Sequence, residues 1–136
     1  MDRVVIEQKL ESLRGCVQRI ASKCPVQADI LVLDLDLQDI VSLNLTRAVQ
    51  ICVDIGAHLI AHLDLPAPDT MGQTFDLLAQ AKLITAELAA NLKMAVGFRN
   101  ITVHSYEPIN WLIVHSIVKN HLDDFSKFAK VISVKH

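Results

Sequence analysis

No uninterrupted apolar run in this 136-residue sequence approaches the length of a membrane span. The Met-Asp-Arg start has no apolar stretch shaped like a signal peptide. The three cysteines, Cys16, Cys24 and Cys52, are odd in number and lack CxxC spacing. They are expected to be free thiols in a reducing cytoplasm, acting as small core filler rather than as nucleophiles. Internal repeats and low-complexity tracts are also absent. The net charge is −2, so no broad basic field announces a nucleic-acid binder. A positive field for an anionic substrate would have to be local, with Lys93 and Arg99 as the obvious cations.

What the chain does have is apolar matter, at 51% hydrophobic residues. Its length suits a single domain, 1–136, with a proper core. Such an apolar excess needs a further place to be buried, which predicts a subunit interface and hence a homodimer.

Helical periodicity organises most of the chain. Ile6, Leu10, Leu13, Val17 and Ile20 recur at alternating spacings of four and three, predicting a helix over 2–22. Asp2 is its expected N-cap and Cys24-Pro25 its stop. Residues 26–38 are ambiguous. They end in Leu-Asp-Leu-Asp-Leu, which has the period of a strand, but a lone strand has no partner here. An extended or irregular approach to the next helix is expected. Asp34, Asp36 and Asp39 crowd that helix start, where the helix dipole favours carboxylates. A metal site built on them ranks lower, because nothing else has ligand spacing.

A long helix is predicted over 38–63, with Ile40, Leu43, Ala48, Ile51, Cys52, Ile55, Leu59 and Ile60 as its apolar arc. A second stripe is polar: Arg47, Gln50, Asp54, His58 and His62. The plain reading is a wet face with an Asp54–His58 pair. The sharper one is that Arg47 and Asp54 line the cleft opposite Arg99 and His104. His58 and His62 have zinc-ligand spacing, but Leu59 replaces the Glu of a metalloprotease motif and no third ligand is in view. A metal-binding bundle is thus the weakest reading. Gly56 costs about 1 kcal/mol relative to Ala inside a helix, and predicts a close helix crossing.

Leu65-Pro66-Ala67-Pro68-Asp69-Thr70 reads as a loop. A short helix over 72–81 should turn Phe75, Leu78 and Ala79 inward. Thr85 is the expected N-cap of the following helix, whose inner face is Leu88, Leu92, Ala95 and Val96. Glu107-Pro108 should stop it, and Asn110 should cap the last helix, 110–133. There Trp111, Val114, Val118, Leu122, Phe125, Ala129 and Ile132 form the core stripe. Ile113, Ile117 and Phe128 widen the arc, predicting contact beyond this chain's own bundle. His115 and His121 fall at the core edge as packed or solvated residues. The architecture predicted is all-α, an up-and-down bundle of four main helices plus one short helix.

The chemistry concentrates in Arg99-Asn100-Ile101-Thr102-Val103-His104-Ser105-Tyr106. Arg carries a permanent cation with a fork that fits phosphate. His moves protons near neutral pH. A metal-free enzyme that cuts a phosphodiester needs both functions. Tyr106 adds a phenol that can bond a phosphate or act as an acceptor hydroxyl. On an ideal helix Arg99 and His104 lie about 140° apart, at about 100° per residue, while Arg99 and Tyr106 nearly eclipse. A one-residue bulge, a swing of the Arg stem, or completion by a second subunit would each resolve this. The plain alternative is a solvated rim on an amphipathic helix.

Arg-x4-His-x-Tyr, with polar Asn100 after the Arg, resembles the motif of the HepT toxins, all-helical RNases of the HEPN superfamily. Leu92-Lys93-Met94-Ala95-Val96-Gly97-Phe98 and Leu122-Asp123-Asp124-Phe125 resemble the same family, and the likeness runs from about Leu37 to the C-terminus. It implies a cofactor-free endoribonuclease toxin of a bacterial toxin–antitoxin pair, cutting RNA through attack of the 2′-hydroxyl. Arg99 and His104 would be catalytic, and Asn100, Arg47 and Asp54 candidate cleft residues. The family further implies a homodimer with a shared cleft, and a cognate minimal nucleotidyltransferase antitoxin (MntA-like) that transfers AMP to Tyr106. The competing implication is a non-catalytic nucleotide-binding or partner subunit of a small nucleotidyltransferase.

Overall fold

The computed structural model describes residues 3–104 and 108–135. The N-cap expected at Asp2 and the stop at Glu107 lie outside the described residues. Six helices are described: α1 (Arg3–Lys23), α2 (Ala28–Leu33), α3 (Leu35–His62), α4 (Met71–Gln80), α5 (Ala86–His104) and α6 (Trp111–Lys135). The fold is all-α, with one helix more than the four-plus-one arrangement anticipated.

The extra helix is α2, where an irregular approach was expected. Leu-Asp-Leu-Asp-Leu straddles a joint between two helices. Asp34 alone is extended there, at φ −106° and ψ 105°. Its N–H donates to Ile30 O at 3.0 Å, and its carboxylate accepts from Leu37 N at 3.0 Å. One residue thus ends α2 and caps α3. Buried Gln38 completes the joint by donating to Leu31 O at 2.9 Å and Val32 O at 3.0 Å, two carbonyls that the end of α2 leaves over.

α1 lies against α3 and α6 through Ile6, Leu10, Leu13, Cys16 and Ile20. α3 is the central helix and touches all five others. Its length and composition alone would let it cross a membrane, but twelve of its residues are buried in this core. The apolar arc is shifted from the one expected. Val41, Leu45, Val49 and Val53 are buried, while Leu43 is 50% exposed and Ile40 and Ile51 are partly buried. A helix packed on several sides has no single inward phase, so a one-stripe reading misplaces its edges.

The close crossing at Gly56 is present. A Cβ there would stand 2.6 Å from Thr74 Cγ2 and 3.1 Å from Leu78 Cδ1, so only glycine lets α4 approach α3 this closely. Thr70 caps α4 by accepting from Gln73 N, and Thr85 caps α5 by accepting from Leu88 N, both at 3.1 Å. Asn110 Oδ1 accepts from Leu112 N at 3.1 Å and Ile113 N at 3.3 Å, capping α6. Phe128 is fully buried, edge-on to Phe75 at a ring separation of 6.1 Å. It therefore belongs to the chain's own core, contrary to its assignment to an outward arc.

Candidate active site

α5 carries Arg99, Asn100 and His104, and α4, α3 and α6 hold it. Leu88, Ala89, Leu92, Ala95, Val96 and Phe98 are buried, which sets the rotation of the helix. Asp124 on α6, itself only 5% exposed, anchors it. Asp124 Oδ2 accepts from His121 Nδ1 at 3.0 Å, and Oδ1 accepts from Asn91 Nδ2 at 3.4 Å, two turns before Arg99. His121 is thus neither merely packed nor merely solvated. It partners the carboxylate that ties α6 to the motif helix. Nothing in the sequence pairs Asn91 with Asp124, which are 33 positions apart.

Arg99 and His104 do meet. Arg99 Nη1 stands 3.5 Å from His104 Nε2 and donates to Asn100 Oδ1 at 3.3 Å. The backbone stays α-helical through His104, so the long Arg stem, not a bulge, spans the angular gap. A guanidinium only donates, so Nε2 can enter this contact only as an acceptor. Arg99 Nε is buried and finds no acceptor among the described residues. A buried N–H left without a partner is costly, and an incoming anionic oxygen would satisfy it. His104 and Asn100 are exposed at the open end of this arrangement. Tyr106 lies outside the described residues.

The local field is narrower than expected. Lys93 Nζ lies 3.0 and 3.1 Å from the two Asp76 oxygens, so its charge is largely spent across α4 and α5. Arg99 forms no ion pair with a carboxylate among the described residues, and its charge remains available. The candidate cleft residues of α3 are placed differently. Arg47 lines a groove between α1 and α3. Asp54 accepts from Gln50 Nε2 at 2.9 Å and lies 3.9 Å from Lys9 Nζ, rather than pairing with His58. Within one chain their contacts run toward α1 and not to Arg99 or His104. His58 and His62 are exposed, and no three His, Cys, Asp or Glu are grouped to hold a metal among the described residues. His115 is buried and bonds Pro25 O through Nε2 at 2.8 Å, a structural clasp.

The cysteines are free thiols. Burial pushes all three up from the usual thiol range, most strongly Cys52, while the Arg47 charge works against it at Cys16. Such thiols are poor nucleophiles, as their role of core filler requires.

Residues 6–132 match the family described as ribonuclease HepT-like. The chain is 39% identical over 131 residues to the mRNA nuclease HepT of Shewanella oneidensis, covering 96% of this chain and 98% of that protein. It is 23% identical over 133 residues to the tRNA nuclease HepT of Aphanizomenon flos-aquae, covering 98% and 90%. Its fold is similar, with a TM-score of 0.91 and 38% identity, to a tri-AMPylated Shewanella oneidensis HEPN toxin solved in complex with its MNT antitoxin. That likeness covers 99% of this chain and 100% of the toxin.

Proposed function

The chain belongs to the HepT-like ribonuclease family, and from that premise we propose how its own residues cut RNA. It acts as an endoribonuclease toxin neutralised by a nucleotidyltransferase antitoxin. The observation that carries the site is the guanidinium of Arg99, which has no carboxylate partner among the described residues, a buried N–H without an acceptor there, and its tip against His104. In the mechanism proposed, the RNA 2′-oxygen forms a bond to phosphorus and the bond to the 5′-oxygen breaks. A base takes the 2′-hydroxyl proton, and an acid delivers one to the leaving oxygen. Arg99 stabilises the charge that builds on the non-bridging oxygens. One imidazole cannot be base and acid in a single concerted step, so the second comes from His104 of another copy.

A homodimer is supported by the apolar residues left outside. Ile101 and Val103 on α5 are each 49% exposed, and Leu112 and Ile113 at the start of α6 are 55% and 57% exposed. Light scattering should give twice the chain mass at micromolar concentration, and a monomer would remove the second imidazole from the mechanism. Tyr106 is the proposed acceptor of AMP. An added phosphodiester would pair with Arg99 in a charge-assisted contact and block the substrate both sterically and electrostatically. Co-expression with the antitoxin should raise the intact mass by one or more AMP units, and Tyr106→Phe should prevent the rise. The working compartment proposed is the cytoplasm.

The deciding experiment is cleavage of an end-labelled RNA by the purified protein. The expected products carry a 2′,3′-cyclic phosphate and a 5′-hydroxyl, and they form in EDTA, because the proposed chemistry uses no metal. Absence of cleavage at every RNA tried would favour the non-catalytic subunit.

A further inference from the structure

Between α1 and α3 lies a cavity of about 730 Å³, open to solvent along one side, to which none of the described motif residues, 99–104, contributes. Two cations reach into it from facing helices, Arg19 on α1 and Arg47 on α3. Neither guanidinium has an acceptor or carboxylate partner among the described residues. The contrast with their neighbours is informative. Arg3, Lys9 and Arg14 on α1 each pair with a carboxylate: Glu7 at 3.7 Å, Asp54 at 3.9 Å and Glu11 at 3.4 Å. Among the described residues no Asp or Glu lines the groove. A chain of net charge −2 therefore holds a local excess of two positive charges in one concave place.

The floor between the arginines is aliphatic, from Ile40, Leu43 and Ile51, with Leu43 half exposed. The wall at Gly15 is empty: a Cβ built there meets nothing within 4 Å. Planar guanidinium forks match phosphate oxygens, and the aliphatic floor offers a face for a base or sugar. The open side suits a continuous strand better than an enclosed small molecule.

We propose that the α1–α3 groove is a second RNA-binding site, in which Arg19 and Arg47 hold backbone phosphates of the strand away from the Arg99–His104 centre. It would add substrate affinity to that supplied by Arg99 at the motif. The inference rests on RNA being the substrate, yet the two fail separately. Normal cleavage by both Arg99→Ala and His104→Ala would remove the active-site assignment and leave this binding test intact. Unchanged binding in the test below would leave the cleavage chemistry intact.

The test uses fluorescence anisotropy of a labelled single-stranded 2′-O-methyl RNA, which has no 2′-hydroxyl to attack and so survives whichever residues are catalytic, on the full chain carrying His104→Ala. Adding Arg19→Ala with Arg47→Ala should weaken binding at least tenfold. It should also flatten the dependence of log affinity on log salt by about 1.4, at about 0.7 per lost phosphate contact on a single strand. Gly15→Leu is the second variant. It fills the groove with both arginines in place and replaces a helical glycine by a better helix former, so weaker binding cannot be put down to misfolding. Circular dichroism and thermal melts should match the parent in both. Parental affinity and salt slope in both variants would overturn the proposal. So would groove-dependent binding of AMP or of a poly-glutamate peptide while RNA binding is untouched, which would assign the groove to a free nucleotide or to a protein partner.

Discussion

Replacing Gly56 by alanine should destabilise the protein, although alanine is the better helix former. Inside a helix Gly→Ala gains about 1 kcal/mol. Here the new methyl would stand 2.6 Å from Thr74 Cγ2 and 3.1 Å from Leu78 Cδ1, on a helix whose Thr74 and Leu78 are both buried. Overpacking of this kind costs about 1–3 kcal/mol. The net expectation is a loss of about 1 kcal/mol, or about 3 °C in Tm for a domain of this size. Thr74 supplies the rescue. Its Cγ2 makes the clash, and its Oγ1 is buried without a hydrogen-bond partner among the described residues. Thr74→Ala alone should be close to neutral, with the lost methyl contact offset by removal of the orphan hydroxyl, each about 1 kcal/mol. In the double variant the methyl added by Gly56→Ala fills the space that Thr74 vacates. The helix-propensity gain then survives, and the protein should be about 1 kcal/mol more stable than the parent. The cycle thus contains about 2 kcal/mol of coupling, well above the scatter of independent sites. Urea unfolding of the four proteins, built on His104→Ala to permit expression, measures it. A Gly56→Ala variant more stable than the parent, or a cycle additive within about 0.5 kcal/mol, would refute the close-crossing account.

Arg99→Ala and His104→Ala should each abolish RNA cleavage with unchanged circular dichroism, and His104→Ala should retain more RNA affinity than Arg99→Ala in filter binding. Asp124→Ala should cost about 1–3 kcal/mol in urea unfolding, because it strips partners from His121 and Asn91. Lys93→Ala should change stability by well under 1 kcal/mol, as expected for a half-exposed pair, and should leave cleavage nearly unchanged because Asp76 already holds that charge. On the alkaline side, the unfolded Cys52 thiol ionises from about pH 8.5 while the buried native thiol keeps its proton. Stability should therefore fall by up to about 1.4 kcal/mol per pH unit above that point. Cys52→Ala should flatten this limb in pH-dependent denaturation curves.

Features readable in the sequence were those whose cause is local. Thr85 and Asn110 act within three residues of themselves, Pro66 and Pro68 interrupt the chain where they stand, and Gly56 announces a close approach by its misfit in a helix. Features that misled depend on partners far along the chain. The Leu-Asp-Leu-Asp-Leu alternation mimics a strand, and only the Gln38 side chain, reaching back to α2, shows that it joins two helices. The core face of α3 is set by five neighbours at once, so the half-exposed Leu43 was included in it and the buried Val53 left out. At the site, the residue types of the motif were legible. Its closure by an arginine stem, its anchoring through Asp124 and the groove at Arg19 required three dimensions.

The last helix packs against the first, and His115 grips Pro25 O from 90 positions away. α6 also supplies Asp124 to the motif helix. A growing chain that has reached His104 already contains Arg99 and the imidazole, but one flank of both α1 and α5 is still bare. Leu92 and Ala95 have no α6 to lie under, and Asn91 has no carboxylate. The packing that fixes the rotation of α5 thus waits on the twenty-five residues of α6. Synthesis of the protein and appearance of its site are separated in time by the emergence of one helix, and until then the nascent chain is a set of apolar faces exposed to whatever binds them first.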